Sequence, residues 1–590
     1  MRKLRIGWIS TTLAVFVVLT TSLFQTATAS AVSQPQWYGG TTTPIKHVIV
    51  ILGENHTFDN VFGTFQPTNG QSIDNLRSEG IVNCVGNVGP NVGRAAQQQA
   101  IDTGTYSLTP KKMGPYKTLP QPNTTYAQGL PPDVPDTRFP ANLPNGPYQI
   151  TKYVPYQNSY VGDPIHRFYQ MWQQQDEGKN DLYTWVHQTA GDDNGAIPPS
   201  PIYQGALDMG YYNMCVGDAP NFNFIGDNYA ISDNYHQAVM GGTGANHIML
   251  GTGDMAYYSD GNGHPLTPPS DQIENPNAKP GTNNNYMQDG YAGGSYSECA
   301  DPKQPGVGPI LNYLHSLPYQ AFRNGDCAPG AYYLLNNYNP GYTPTRQLNT
   351  SSPYTVPPQT TPSIADALSA RGISWKYYGQ GYNNGNVTPT FCGICDPFQY
   401  EKSIMTTSLK NNIQDYTNFQ RDVNNNTLPA VSFIKPDGNN DGHPASSSLS
   451  IFETFASNIV NEVIKKPQVF KDTAIFVTFD EGGGYYDSGY VQPLSFFGDG
   501  PRIPMMVVSP YAKKGYVDHT YDDHVSILKF IERNWRLAPL SNRSLDNLPD
   551  ARASYRDPYQ PTNGPAIGDL MDFFNFSYAR QNTPLLPYSD

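Results

Sequence analysis

The sequence predicts an α/β fold, a sheet with helices on both faces, and three observations carry that expectation. Short, fully apolar runs of strand length, "HVIVIL" at 47–52 and "AIFVTF" at 474–479, alternate with amphipathic helical stretches. Strands that read as unbroken apolar runs belong to sheets covered on both sides, where neither face meets water. Both runs then stop abruptly on polar donors, at the place where an open α/β sheet forms its ligand crevice, beyond the carboxyl ends of its strands.

Taken from the amino terminus, Arg2, Lys3 and Arg5 make a basic head, Ile6 to Phe24 an apolar stretch, and Ala27-Thr28-Ala29 a small-residue cleavage site. This pattern is that of an export signal over residues 1–29, so a secreted or periplasmic mature chain is expected. No second apolar stretch is long enough to span a bilayer, and no stable membrane insertion is expected after signal removal. The strand His47 to Leu52 is followed by Gly53, Glu54 and Asn55. Long Gly/Pro/Asn/Tyr-rich insertions are expected near 65–160, 255–305 and 328–361. Pro362 at a helix start, Ile364, Ala367 and Leu368 on one face, Gly372 as the stop and "ISWKYY" make a helix-to-strand unit. A further helix runs through Ile451, Phe455, Ile459 and Val463 into the strand Ala474 to Phe479, which ends on Asp480 and Glu481. The last helix carries Val525, Leu528, Ile531 and Trp535.

Composition narrows the function classes. The chain has 590 residues, of which only 14% are charged, with 54 Gly, 53 Pro and 42 Tyr, so much of it must be ordered loop. Loss of the signal removes three of the 36 basic residues and none of the 49 acidic ones, taking the formal charge from −13 to about −16. That argues against a nucleic-acid partner, which needs a basic stripe, and requires any anionic substrate to meet a local cation. Six cysteines in an exported chain suit disulfides, with fifteen possible pairings. Cys392 and Cys395 form one Cys-x-x-Cys, which reads as a disulfide or a redox-inert loop, since a zinc site needs two more ligands.

Glu54 and Asn55 at one strand end, with Asp480 and Glu481 at another, gather oxygen donors that repel one another unless something positive sits among them. One divalent metal ion answers this; calcium, magnesium, manganese and zinc all remain open. The bland alternative for each pair is a cap at a helix start. In "SDNYHQAVMGGTGANHIML", 232–250, Gly241, Gly242 and Gly244 surround Thr243, whose hydroxyl falls at the start of an expected helix, where oxyanions bind well. A Thr243 alkoxide on such a metal is a nucleophile for phosphorus. His443 in "DGHPASSS", and His519 and His524 around "TYDD", are loop histidines suited to leaving-group protonation or phosphate binding.

These residues resemble the bacterial phosphoesterase family that joins secreted acid phosphatases with phosphatidylcholine-type phospholipases C, a relative of the alkaline phosphatase superfamily. The resemblance runs nearly end to end, through "HVIVILGENHTFDNVFG", "GDPIHRFYQMW", "MGYY", "SDNYHQAVMGGTGANH", "FDEGGGYYD" and "GDGPRIPMMVVSPYAKKGYVDHTYDDHVSILKFIERNW". It implies a central mixed, largely parallel, alkaline-phosphatase-like sheet in one catalytic domain over 30–590. It also implies Glu54, Asn55, Asp480 and Glu481 as metal ligands, Thr243 as the nucleophile and a further ligand, a phosphoryl-enzyme intermediate, and His443 and His166 near the phosphate. The chain departs from the pattern at His56, where many phospholipase members have Arg, and in "YYDSG", which lacks a histidine they often carry. It also lacks the adjacent histidine pair of some acid phosphatases.

The expected function is therefore hydrolysis of a small phosphate ester by an acid phosphatase. The alternative is a phospholipase C acting on the headgroup of phosphatidylcholine-type lipids. The head Arg-Lys-Leu-Arg and the chain's end soon after its last helix favour the phosphatase branch of the resemblance. A sulfatase is excluded, because Cys327-Ala328-Pro329-Gly330-Ala331 lacks the Arg of Cys-x-Pro-x-Arg. A secreted non-enzymatic binding protein suits the Tyr/Asn/Gly-rich loops and the sequon Asn123-Thr124-Thr125, but leaves the oxygen donors at two strand ends without a purpose.

Overall fold

Strand β1 (His47–Gly53) is buried from Val48 onward, since its apolar run leaves neither face for water. A computed structural model describes residues 40–587 apart from 103, 125–133, 191–204, 287–292, 323–326 and 351–352. The expected export signal over 1–29 lies outside the described residues. Seven further strands complete the sheet: β2 (Ala230–Ser232), β3 (Trp375–Gly379), β4 (Ile413–Asp415), β5 (Val431–Lys435), β6 (Thr473–Phe479), β7 (Met505–Val508) and β8 (Tyr516–Asp518). Their order is β4-β3-β5-β1-β6-β7-β2-β8. Only β7 runs antiparallel to its neighbours, so the sheet is mixed and largely parallel as expected.

Six helices matter for the site: α1 (Phe58–Phe62), α2 (Phe168–Gln175), α3 (Thr243–Thr252), α4 (Ile364–Ala370), α5 (Leu449–Ile464) and α6 (His524–Trp535). Phe452 of α5 meets Phe479 edge-on at 5.0 Å, and Phe530 of α6 meets Phe476 at 5.1 Å. Phe476 and Phe479 are an odd number of residues apart on β6, so their side chains leave opposite faces of the sheet. Helices α5 and α6 therefore cover the two faces. Gly53 is where the α5 layer comes closest, for a Cβ there would lie 2.5 Å from the Phe452 ring.

Two helix details differ from the sequence expectation. Helix α4 begins at Ile364 and is capped by Ser363 in a capping box with Asp366, so Pro362 precedes the cap, and Ala365 is buried in place of Ala367. The buried stripe of α5 is Leu449, Phe452, Ala456, Ile459, Val460 and Val463, while Ile451 and Phe455 stand at its half-buried edge. A stripe read strictly every fourth residue drifts off the 3.6-residue period, which explains the shift.

Tyrosines order the stretches 255–305 and 328–361. Ala256, Tyr296, Tyr332, Leu334, Tyr338 and Val356 pack with Ile248 of α3 in a second apolar cluster. Three disulfides bind the loops: Cys84–Cys215, Cys299–Cys327 and Cys392–Cys395, the last being one of the two readings open for the Cys-x-x-Cys.

Candidate active site

The two strand ends are brought side by side. Strands β1 and β6 are adjacent and parallel, with Gly53 opposite Phe479, so Glu54–Asn55 and Asp480–Glu481 leave the same sheet edge together. Neither pair caps a helix. Thr57 caps α1, its hydroxyl accepting from Asn60 N at 3.2 Å, and a Gly-rich turn rather than a helix follows Glu481. Backbone bonds fix both exits: Glu54 N donates to Asp441 O at 2.8 Å, His56 N to Glu481 O at 3.1 Å, and Asp480 N to Gly53 O at 3.0 Å.

Asn55 stands at φ +65°, left-handed backbone that Asn tolerates better than most residues, and its N–H donates to Asp480 Oδ1 at 3.3 Å. Its amide nitrogen lies 3.3 Å from His166 Nε2. His166 Nδ1 is 2.6 Å from Pro164 O, which puts the ring proton on Nδ1 and leaves Nε2 to accept from Asn55. Asn55 is thereby oriented with Oδ1 away from the histidine, and that oxygen is buried with no hydrogen-bond partner. Asp480 Oδ2 is in the same condition. Burial, and then the nearby Glu54 charge, push the Asp480 carboxyl well above its ordinary range.

Thr243 is the first residue of α3, after Gly242 in extended backbone. Its hydroxyl donates to Glu481 Oε1 at 3.1 Å, and His166 Nε2 is 3.8 Å from the same oxygen. Gly242 lets Arg167 and Asn337 approach: a Cβ there would lie 2.8 Å from Asn337 Oδ1 and 3.2 Å from Arg167 Nη1. Asn337 Oδ1 accepts from Gly244 N at 2.7 Å. A buried guanidinium thus stands at the positive end of a helix, beside the residue that precedes Thr243.

Glu54 has a cation of its own. Lys435, the last residue of β5, lies 3.0 Å from Glu54 Oε1 and 3.0 Å from Asp441 Oδ2. Burial opposes its charge, but Asp441 and Glu54 hold the ammonium above the ordinary lysine range. His247, one turn into α3, is 3.9 Å from Glu54 Oε1, and burial keeps it neutral. Cys395 Sγ is 3.3 Å from that oxygen, but it is in a disulfide and offers neither a proton nor a thiolate. Hence Glu54, His247 and Cys395, although close enough to share an ion, make no thiolate site.

Lys435 is taken up by Glu54 and Asp441, while the buried oxygens Asn55 Oδ1 and Asp480 Oδ2 beside them have no donor. The donor set fits a hard divalent cation. At the mouth of the cluster, His443 Nε2 is 3.8 Å from Asp163 Oδ2, His443 Nδ1 is 2.5 Å from Pro444 O, and the His443 and His166 rings are 6.2 Å apart. Asp163, His166 and His443 form a second group able to share an ion.

The structure thus joins Asn55, Asp480, Glu481, Thr243 and His166 by direct contacts, sets Glu54 beside them on Lys435, and puts His443 near His166. It does not bring in the two remaining loop histidines. His524 is buried with Nε2 on Phe479 O at 2.9 Å, and His519 bonds Asp233 at 2.7 Å and Ser72 at 2.9 Å. His56 is a packing residue: it bonds Asn60 and Gly442 O and stacks on Tyr485, and burial pushes its pKa down to about 4. Sequence reasoning missed Arg167, Lys435, His247 and Asn337. Lys435 had a signal, since "VSFIK" is a third apolar strand ending on a charge.

A sequence model of the Phosphoesterase family matches residues 45–538. Among curated proteins, the "Non-hemolytic phospholipase C" of Burkholderia pseudomallei is 30% identical over 217 residues, 32% of this chain and 29% of the relative. The "Probable acid phosphatase" of Kluyveromyces lactis is 27% identical over 201 residues, 32% of this chain and 45% of the relative. The "Phospholipase C A" of Mycobacterium tuberculosis is 22% identical over 587 residues, 92% of this chain and 80% of the relative. The match thus spans less than half of the first two relatives and most of the third. With a family match over most of its length, this chain belongs to the Phosphoesterase family.

Proposed function

We propose that this chain hydrolyses phosphoric esters by transferring the phosphoryl group to Thr243, and that its substrate is a small phosphate monoester. The observation that carries the reading is the Thr243 hydroxyl at the first position of α3, donating at 3.1 Å to Glu481 beside the oxygens of Asn55 and Asp480. Thr243 Oγ attacks phosphorus as its proton passes to Glu481. Arg167 and the first amides of α3 receive the equatorial oxygens, whose charge grows in the transition state. His443, 3.8 Å from Asp163, gives a proton to the departing oxygen, and the ester P–O bond breaks. Water then attacks the phosphothreonine, His443 takes a proton from it, and Thr243 recovers its own. His166 acts by holding the Asn55 amide with Oδ1 turned into the cluster. A divalent cation held by Asn55, Asp480, Glu481 and Glu54 would lower the alcohol's pKa and neutralise phosphate charge.

The near closure of the cluster supports the monoester: Thr243 is 5% exposed, and the partly exposed groups near it, His443 and Asp163, are polar and suited to a compact anion. The second reading, a phospholipase C, is favoured by the mycobacterial relative, whose match runs through 92% of this chain. Hydrolysis of an aryl phosphate and of phosphatidylcholine by the metal-loaded chain separates the two. Acid-quenched labelled substrate should leave phosphate on the peptide containing Thr243 in the parent and on none in Thr243→Ala. Equal turnover by the two proteins would remove Thr243 from the reaction.

A further inference from the structure

A second constellation lies at one end of the sheet, outside the cluster just described. Strands β2 and β8 are adjacent and parallel, with Ser232 opposite Asp518, so the next residue of each, Asp233 and His519, leaves the sheet edge beside the other. The edge beyond strand carboxyl ends is where α/β sheets build their sites. His519 Nδ1 is 2.7 Å from Asp233 Oδ1, and His519 Nε2 is 2.9 Å from Ser72 Oγ. A carboxylate only accepts, so the ring proton sits on Nδ1, and Nε2 accepts from the serine O–H. Acid, imidazole and hydroxyl thus stand in one row.

Each member of the row is held from behind. Asp233 Oδ2 accepts from Asp74 N at 2.8 Å and from the Tyr559 hydroxyl at 3.1 Å, so both oxygens of this fully buried carboxylate have donors. Asn234 donates to His519 O at 2.9 Å, and the Tyr559 ring meets the imidazole edge-on at 5.2 Å. The Ser72 loop is pinned on either side, by Asn69 Nδ2 on Lys514 O at 3.2 Å and by Asp74 N on Asp233. Burial opposes a charge on His519, but the hydrogen bond and the charge of Asp233 outweigh it and hold the ring above its ordinary pKa. Exposure rises along the row, from buried Asp233 through half-buried His519 to exposed Ser72. That order supports an imidazolium from beneath and presents the hydroxyl to solvent.

We propose that Ser72, His519 and Asp233 form a nucleophilic triad, and that the chain carries there a second activity, hydrolysis of carboxylic esters. Ser72 Oγ bonds to the acyl carbon as its proton passes to His519 Nε2, and the ester C–O bond breaks as the leaving alcohol takes that proton. Water then attacks the acyl-serine and gives a proton to His519. The bond to Ser72 Oγ breaks, the acid departs, and the serine regains the proton. Asp233 keeps the imidazole in the tautomer this needs and stabilises the imidazolium formed in between. A serine on an open surface suits a small, activated ester, the aryl acetate class. This inference does not depend on the reaction assigned to Thr243.

The test uses the chelator-treated full chain carrying Thr243→Ala, so that the phosphoester cluster contributes no nucleophile. A fluorophosphonate probe and p-nitrophenyl acetate are each supplied at about pH 8, above the ordinary imidazole range. The probe should be found on the peptide containing Ser72, and acid quench during acetate turnover should leave an acetyl group on the same peptide. Adding Ser72→Ala should abolish both, and adding Ser72→Ala or His519→Gln should each lower nitrophenol release by at least about 10²-fold. With Thr243 intact, Ser72→Ala should keep aryl phosphate turnover within about twofold of the parent, as expected for an exposed position away from the phosphoester cluster. A Ser72 peptide that takes up neither probe nor acetyl would overturn the proposal, as would acetate turnover that is equal with and without Ser72→Ala.

Discussion

Two groups of buried acids lie within a few residues of each other in the chain, and they are satisfied in opposite ways. Around Arg502, Asp59 and Asp487 form a knot in which every carboxylate oxygen has a donor. Asp487 Oδ1 accepts from Arg502 Nε at 2.7 Å and Gly489 N at 2.8 Å, and Oδ2 from Asp59 N at 3.2 Å. Asp59 Oδ1 accepts from Leu76 N, and Oδ2 from Ser488 and Arg502. At Asn55 and Asp480 the donors run out and oxygens are left facing inward. A saturated cluster holds loops in place, whereas an unsaturated one of equal burial stores the capacity to bind a cation. The difference separates architecture from chemistry more sharply than burial or charge does.

The largest effects should fall on opposite observables. Thr243→Ala should lower kcat by at least roughly 10³-fold, because the nucleophile is removed, while Tm stays within a few degrees of the parent. Arg502→Met should do the reverse, costing about 3–5 kcal/mol in a urea melt by stranding Asp59, Asp487 and the carbonyls of Asp74 and Asp233. If Arg502→Met proved as stable as the parent, or Thr243→Ala unfolded, the distinction between the clusters would fail.

Removal of metal sharpens it further. A strong chelator should lower the parent's Tm, and restored ion at about a hundred times its Kd should return about 2.7 kcal/mol. Asn55→Ala, which lacks the oriented Oδ1, should regain much less than the parent from that active-site ion, while Arg502→Met, if it still folds, should respond in full. The readout is the metal-dependent Tm shift, so a variant already inactive remains informative. An undiminished shift in Asn55→Ala would deny that its oxygen contacts the ion.

The sequence displayed one of these clusters and hid the other. Glu54–Asn55 and Asp480–Glu481 were legible because each follows a long apolar strand, and parallel strands of one sheet must end together. The Arg502 knot was not, because its members lie in loops, at "TFDN", "YYDSG" and "GDGPRIP", with no period to relate them. In the fold, β1 and β6 were visible as seven-residue strands, buried throughout except at His47, whereas β2 and β4 are three residues long and carry too little pattern. The reversed direction of β7 was equally hidden, since "MMVV" reads the same whichever way it pairs. Arg167 and His247 needed tertiary contact to acquire meaning: one precedes a helix and the other lies within an apolar one.

Asp208 is a third case, a buried acid with an incomplete set of donors and no ion pair among the described residues. Thr184 donates to Oδ2 at 2.8 Å, Oδ1 has no partner, and burial pushes its pKa up to about 8. A proton is thus its compensation, which makes stability depend on pH with a fixed sign. Below about pH 4 the acid is neutral in the folded and unfolded chains alike. As pH rises from there the unfolded chain releases the proton and the folded chain keeps it, so stability falls up to about pH 8 and levels off beyond. At pH 5 the contribution is on the order of 1 kcal/mol, the smallest effect considered, and it grows toward neutrality. Asp208→Asn carries no titrating group, so urea melts from pH 4 to 8 should show the variant gaining on the parent with each step. Parallel pH profiles would mean that the carboxylate already has what it needs in its charged form.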